Sequence, residues 1–204
     1  MKKNFLKVLA IAVCAILLVV GSIAGTVAYL MDSAEVTNTF TVGNVSITMD
    51  EAKADEYGNF VNGEGQIVST AADAARVAGT AQDKNVYKII PGHSYKKNPT
   101  IVVEAGSEDC YLFFKINVSN NDFDEKLTFD IGSDWTQIDS TGVYFYNTKA
   151  VAGTVVDPFT TFTVDSDIED VSVYAAAEIT VTAYAVQADG FADATTAWTN
   201  TFGK

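Results

Sequence analysis

The sequence predicts an all-β chain behind an apolar N-terminal segment, and three observations carry that expectation. Residues 110–118 alternate, with Cys110, Leu112, Phe114, Ile116 and Val118 on one parity and Tyr111, Phe113, Lys115 and Asn117 on the other. Such period-two patterning is what a half-buried strand needs. Turn chemistry recurs between apolar runs: Pro91-Gly92 after Ile90, Gly106-Ser107-Glu108-Asp109 before Cys110, and Asp139-Ser140-Thr141-Gly142 between two aromatic-rich runs. Helical periodicity is scarce throughout. Short strands without intervening amphipathic helices imply an antiparallel β-sandwich of jelly-roll or immunoglobulin-like type.

The N-terminus comes first. Lys2, Lys3 and Lys7 form a positive segment, and Val8 to Val20 is an unbroken apolar run of 13 residues. Gly21, Ser22 and Gly25 follow, then Thr26-Val27-Ala28. Small residues at Thr26 and Ala28 suit a signal peptidase cutting between Ala28 and Tyr29, so residues 1–28 are expected to be a signal peptide. The competing reading is a retained anchor, because Val8 to Met31 carries no charge over 24 residues. That is long enough for a hydrocarbon core of about 30 Å. The glycines and the small-residue exit favour cleavage.

Residues 29–204 are then expected to form a single domain. Strands are expected at Val45–Met49, Val86–Ile90, Thr100–Glu104, Cys110–Val118, Trp135–Ile138, Val143–Tyr146, Phe159–Val164 and Ile179–Val186. Residues 51–85, rich in Ala, Gly and Asp, read as a surface insertion with a hairpin tip at Gly63-Glu64-Gly65. Within it, Ala71 to Ala81 has the composition for one or two helical turns. Ala192 to Trp198 reads as a short helix near the C-terminus.

Composition narrows function. The 204 residues carry 13 Lys+Arg against 26 Asp+Glu, a net charge of −13. Without residues 1–28 the balance is 10 against 26, or −16. Such a surface repels polynucleotides, so no nucleic-acid partner is expected. A hydrophobic content of 48% with 12 Phe and 9 Tyr is too rich for a disordered acidic tail. One His (His93) and two Cys (Cys14, Cys110) cannot build a His- or Cys-rich metal site, and after cleavage Cys110 is the only thiol. Its parity places it on the core face as a small apolar group.

Catalytic patterns are missing. There is no H-E-x-x-H and no G-x-S-x-G, and His93 sits in a Pro-Gly turn. Neither an enzyme nor a cofactor is expected. The acidic runs Asp165-Ser166-Asp167-Ile168-Glu169-Asp170 and Asp122-Phe123-Asp124-Glu125 are dense in oxygen ligands but lack the EF-hand spacing, so solvated loops are the expectation. Covalent Lys–Asn bonds stiffen some exported β-domains and need a buried Lys facing an Asn beside an acid. Lys115 and Asn117 fall on the outer parity and offer no such site.

Two segments stand out together. The first is Gly25-Thr26-Val27-Ala28-Tyr29-Leu30-Met31-Asp32 followed by residues 38–47, Asn-Thr-Phe-Thr-Val-Gly-Asn-Val-Ser-Ile. The second runs from Ile90-Pro91-Gly92 through residues 101–104 and 106–109 to the 110–118 strand. Over about residues 1–49 and 86–118 the chain resembles the TasA/camelysin family of Gram-positive exported proteins. The resemblance implies a jelly-roll sandwich, a signal peptide processed by a SipW-type peptidase, and polymerisation into biofilm-matrix fibres, with self and other matrix components as partners. It also implies that the new N-terminus completes the sheet of the next subunit. That role falls to Tyr29–Asn38, where Leu30, Ala34, Val36 and, just beyond it, Phe40 share one parity, with Asp32 and Asn38 as interruptions. The metallopeptidase activity ascribed to camelysin finds no zinc motif here and is not carried over.

The leading expectation is therefore a secreted structural protein of the extracellular matrix or cell surface. The alternative is a monomeric adhesin or carbohydrate-binding module, with Tyr144, Tyr146 and Trp198 as its platform.

Overall fold

The computed structural model describes residues 44–78, 83–138 and 142–203. The expected signal peptide, its expected cleavage junction Ala28–Tyr29 and the residues of the expected assembly strand, Leu30, Ala34, Val36 and Phe40, lie outside them. The described residues form mostly antiparallel strands: β1 (Ile47–Ala52), β2 (Arg76–Val77), β3 (Ser94–Lys96), β4 (Pro99–Val103), β5 (Cys110–Val118), β6 (Leu127–Phe129), β7 (Trp135–Ile138), β8 (Val143–Tyr146), β9 (Val155–Val156), β10 (Thr161–Val164) and β11 (Ile179–Gln187). They are joined by a one-turn helix α1 (Asn121–Asp124), a 3-10 turn (Val171–Tyr174) and a helix α2 (Ala194–Phe202). The fold is all-β, as expected. Its strands make three sheets ordered β2-β1-β4-β9, β3-β10-β6 and β11-β5-β8-β7.

β5 sits at the centre. It pairs with β11 over nine residues, from Ile179 opposite Val118 to Gln187 opposite Cys110, and with β8 on its other side. Cys110, Leu112 and Phe114 point into a cluster with Ile101 and Val103 of β4, Trp135 and Phe159, against which Ile47 and Met49 of β1 also pack. This cluster joins the first and third sheets. The even-numbered residues of β5 thus form the core face that alternation predicts.

The other face is not solvated as a half-buried strand implies. Tyr111 and Phe113 are buried as well, because α2 lies over them. Its Ala194 and Ala197 are buried against Tyr111, Phe113, Val143 and Val186. Trp198 packs on Phe113 with ring centroids 5.0 Å apart and edge-on to Tyr184 at 5.3 Å. Asp193 caps the helix by accepting from the N–H of Thr196 at 2.7 Å. The helix expected over 192–198 is observed at Ala194–Phe202, so it ends four residues past Trp198.

Three further expectations are corrected. Val86–Ile90 is not a strand. Its alternation is real, since Tyr87 and Ile89 pack inward while Val86 is exposed. However, its backbone bonds go elsewhere: the Tyr95 hydroxyl donates to the Lys88 carbonyl and accepts from the N–H of Ile90, and Lys88 N–H reaches Glu56. Residues 71–74 form a turn rather than a helix, after which β2 pairs with the end of β1. The strand expected over Phe159–Val164 begins at Thr161, and Phe159 is instead a buried core residue. β2, β3, β6 and β9 are too short, at two or three residues, to show alternation.

The insertion is a folded excursion. Phe60 and Ala74 form a small cluster with Ala52 of β1. Val61 bridges Ile67 across the expected tip, where Asn62 Oδ1 accepts from the N–H groups of Glu64 and Gln66. Gly58 docks it on β3. With φ at +77°, a Cβ there would stand 2.7 Å from Tyr95 Cα, so conformation and space both require glycine.

Asp130 ties β6 to the start of β10. Its carboxylate accepts from the Thr160 N–H at 2.9 Å, the Thr160 hydroxyl at 2.7 Å and the Thr161 N–H at 2.7 Å. Partial burial pushes its pKa up, but these bonds outweigh it and hold the carboxyl below its ordinary value. A depressed folded pKa adds stability above the unfolded value of about 3.9, and that stability is lost as pH falls through the folded value. Asp130→Asn should therefore lower stability to urea by no more than about 1 kcal/mol at pH 7, given solvent screening. The gap should close below about pH 4. Urea unfolding at pH 7 and pH 3 checks this, and a gap unchanged at pH 3 would refute it.

Candidate functional site

A groove runs between β1 and β11. It encloses about 630 Å³, with Met49 and Asp50 of β1 along one wall and Ile179 and Val181 of β11 along the other. Ala176 stands on its rim and Phe162 on its floor. Both walls are sheet edges. Among the described residues β11 pairs with β5 alone, and Ile47–Asp50 of β1 pairs with β4 alone. An unpaired edge presents a row of N–H and C=O groups to whatever lies beside it. At one end an exposed ion pair joins Lys84 Nζ to Glu178 Oε1 at 2.5 Å. The Lys84 hydrogen bond and charge hold the Glu178 carboxyl below its ordinary value.

The groove also opens onto a buried polar cluster. Glu51 is 8% exposed and Lys97 7%. Burying a charge pair costs more than its Coulomb attraction returns unless the remaining donors and acceptors are satisfied. Here they are. Lys97 Nζ donates to Glu51 Oε2, and Asn85 Nδ2 donates to Glu51 Oε1. Asn85 Nδ2 also reaches the Ala52 carbonyl at 3.0 Å, and its Oδ1 accepts from the Ala54 N–H at 2.8 Å. These partners fix the amide orientation, because Ala54 requires an acceptor and Glu51 and Ala52 require a donor. Tyr87 completes the cluster. Burial first, and the Glu51 charge second, push its phenol well above the ordinary tyrosine range.

Three elements bring these groups together. Glu51 is the penultimate residue of β1, paired with both β2 and β4, Asn85 is where the excursion returns, and Lys97 lies two residues before β4. The residues are far apart in sequence and belong to no motif, so the sequence reading missed them. Lys115 and Asn117, the pair it weighed instead, are both exposed.

The other predicted positions have structural partners. Cys110 is fully buried, and its thiol is pushed up to about 11 by burial and then by the nearby Asp109 charge. His93 Nε2 lies 2.9 Å from the Tyr57 carbonyl oxygen, and its ring meets Tyr95 edge-on at 4.5 Å. The acidic runs are engaged in local capping. Asp165 accepts from the Asp167 N–H, and Asp170 accepts from the Ser172 N–H and hydroxyl. α1, which contains Asp122 and Asp124, is capped by Asn120. Among the described residues no group of three His, Cys, Asp or Glu side chains is placed to hold a metal, and no helix is long and apolar enough to cross a membrane.

The aromatic platform does not assemble as expected. Tyr144 stacks on Phe114 at 4.9 Å and 7°, and Tyr146 packs on Trp135. Both therefore face the inter-sheet cluster, while Trp198 projects from α2 onto the opposite side of the same sheet.

Removing Glu51 leaves the Lys97 ammonium buried without its counter-charge. Glu51→Ala should lower stability by about 3–5 kcal/mol. The double variant E51L/K97M, which replaces the pair by apolar side chains, should recover most of that. Urea titrations of both test this, and a cost below about 1 kcal/mol for the single variant would show that the pair is solvated. Cys110 should resist alkylation at pH 8 in the native protein and react in denaturant, as read by peptide mass mapping. Equal labelling in both would place the thiol at the surface.

No protein-family model, curated protein or solved structure matches the chain. Function must therefore be argued from the groove, its cluster and the sequence.

Proposed function

We propose that this chain is an exported structural protein that assembles with copies of itself by N-terminal strand addition, as the resemblance to the TasA/camelysin family implies. The observation that carries this reading is the groove flanked by two sheet edges. A strand lying in it gains main-chain hydrogen bonds from an edge, while its alternate side chains fill the apolar floor. The donor is the segment Tyr29–Asn38 of a neighbouring copy, with Phe40 just beyond it. Leu30, Ala34, Val36 and Phe40 share the parity that would face the floor. At about 3.4 Å per residue, Leu30 to Asn38 matches the length of β11, which has nine residues.

The same reading makes the two sheets that share the Phe114 cluster a sandwich of jelly-roll or immunoglobulin-like type. It gives residues 1–28 to a signal peptide removed by a SipW-type peptidase after Ala28. Cleavage then becomes the trigger, since the donor segment is tethered at the membrane until Tyr29 is freed. The protein acts at the cell surface or in the extracellular matrix without catalysis.

A chain beginning at Tyr29 should form fibres visible by negative-stain microscopy and light scattering, while one beginning at Phe40 should stay monomeric. Val36→Asp should abolish fibres and leave a folded monomer by circular dichroism. Ala176→Trp, on the exposed rim, should do the same from the acceptor side. Stable monomers from the Tyr29 chain would sink the proposal.

A further inference from the structure

The cluster at Glu51 has the parts of a self-modifying site. We propose that Lys97 and Asn85 condense into an intramolecular amide, with Glu51 as the proton carrier. This stands apart from strand addition and does not depend on it.

Each role rests on a contact. A lysine becomes a nucleophile only as the free amine, and needs a base held against its nitrogen in a desolvated place. Glu51 Oε2 is that base, bonded to Lys97 Nζ with both side chains at most 10% exposed. An amide resists attack unless its carbonyl oxygen is stabilised as charge develops. The Ala54 N–H, 2.8 Å from Asn85 Oδ1, is a fixed backbone donor at that atom. The amide nitrogen must be protonated to leave. Asn85 Nδ2 lies on Glu51 Oε1, the second oxygen of the carboxylate that holds the nucleophile. One carboxylate therefore spans the attacking and departing nitrogens, an arrangement that a simple buried ion pair does not need.

The step balances without any co-reactant. Glu51 takes a proton from the Lys97 ammonium. The Nζ lone pair then attacks Asn85 Cγ, the new C–N bond forms, and the carbonyl electron pair moves onto Oδ1 against the Ala54 N–H. Glu51 delivers its proton to Nδ2 and takes one from Nζ. The Cγ–Nδ2 bond breaks, the carbonyl re-forms, and ammonia leaves with the last proton as ammonium, restoring the Glu51 carboxylate. Nothing is oxidised or reduced. Glu51, Asn85 and Lys97 all line the groove, so the product has a way out. The bond would close the loop from Asn85 to Lys97. That loop contains Val86–Ile90, the apolar segment that no ladder holds.

The test is a tryptic digest of the purified, denatured full-length chain, read by mass spectrometry. The expected product is a branched peptide, Asn85–Lys88 joined to Lys97–Lys115, lighter by one ammonia than its two parts. Glu51→Gln should lower its yield by at least about 100-fold, and Lys97→Arg should remove it. Linear Asn85–Lys88 together with cleavage after Lys97, as the main species from the unaltered chain, would overturn the proposal. So would an ammonia loss confined to Asn85, which marks cyclisation of the asparagine alone. An undiminished branched yield in Glu51→Gln would overturn the assignment of Glu51. The unaltered chain decides the main question even if a variant fails to fold.

Discussion

The constraint on which the rest depends is the burial of the first half of β5, Cys110 to Phe114, on both faces. Phe114 faces the cluster shared with β4, and Phe113, its neighbour, faces α2. A slip of one residue against β11 would exchange these two environments along the whole strand. Two apolar populations on opposite faces thus fix a single register over nine pairs. β11 is placed by that register, and so is one wall of the groove. The other wall is fixed through β4, whose Ile101 and Val103 pack on the same face of β5 and pair with Met49 and Ile47 of β1. The groove is therefore set by the core, and not by the loops that cross its ends.

The Glu51 cluster marks the place where this order changes. Up to Asp50, β1 has a partner on one side only among the described residues. At Glu51 and Ala52 it gains β2 on the other, and the chain then leaves the sheet. Three backbone paths meet there, and their polar groups cannot all be met by ladder bonds. Asn85 meets two of them, at Ala52 and Ala54, and the Glu51 carboxylate joins Asn85 to Lys97. A buried charge pair seldom adds stability over an apolar replacement, so its presence asks for another reason. Satisfying a crowded junction is one. The chemistry proposed for the same atoms is a second, and it differs because it leaves a covalent record.

How far the sequence could be read follows from the range of each contact. The 110–118 alternation and the Asn62–Gln66 tip are local, and both appear where expected. α2 was legible in outline. Ala194, Ala197, Trp198 and Phe202 lie at helical spacing, but the intervening threonines have weak helix propensity and blur its end. That α2 covers β5 was not legible, because covering depends on where the chain returns in space. The Val86–Ile90 run turns Tyr87 and Ile89 inward at a spacing of two. It failed as a strand because periodicity reports burial and not the presence of a neighbour. The Glu51, Asn85 and Lys97 constellation joins residues 34 and 46 positions apart, so no window along the sequence contains it.

Open edges carry a hazard, since each can pair with another chain without control. Two features of this chain bear on it. Along β11 the exposed residues are Thr180 and Thr182, so no fully exposed apolar side chain stands on that strand. The domain also carries a net charge of −16 without residues 1–28. Copies of that charge repel one another over about 8 Å at physiological ionic strength, which disfavours indiscriminate edge contact. A short donor strand meets less of this barrier than a whole domain does. As a donor, Leu30 to Asn38 bears only Asp32 and Glu35 as charged residues, so it can enter the groove while most of the charge of the two copies stays farther apart. On the proposed reading, the acidic surface and the open groove are thus complementary. The charge suppresses docking of one face on another, and the groove leaves strand insertion as the route of lower repulsion.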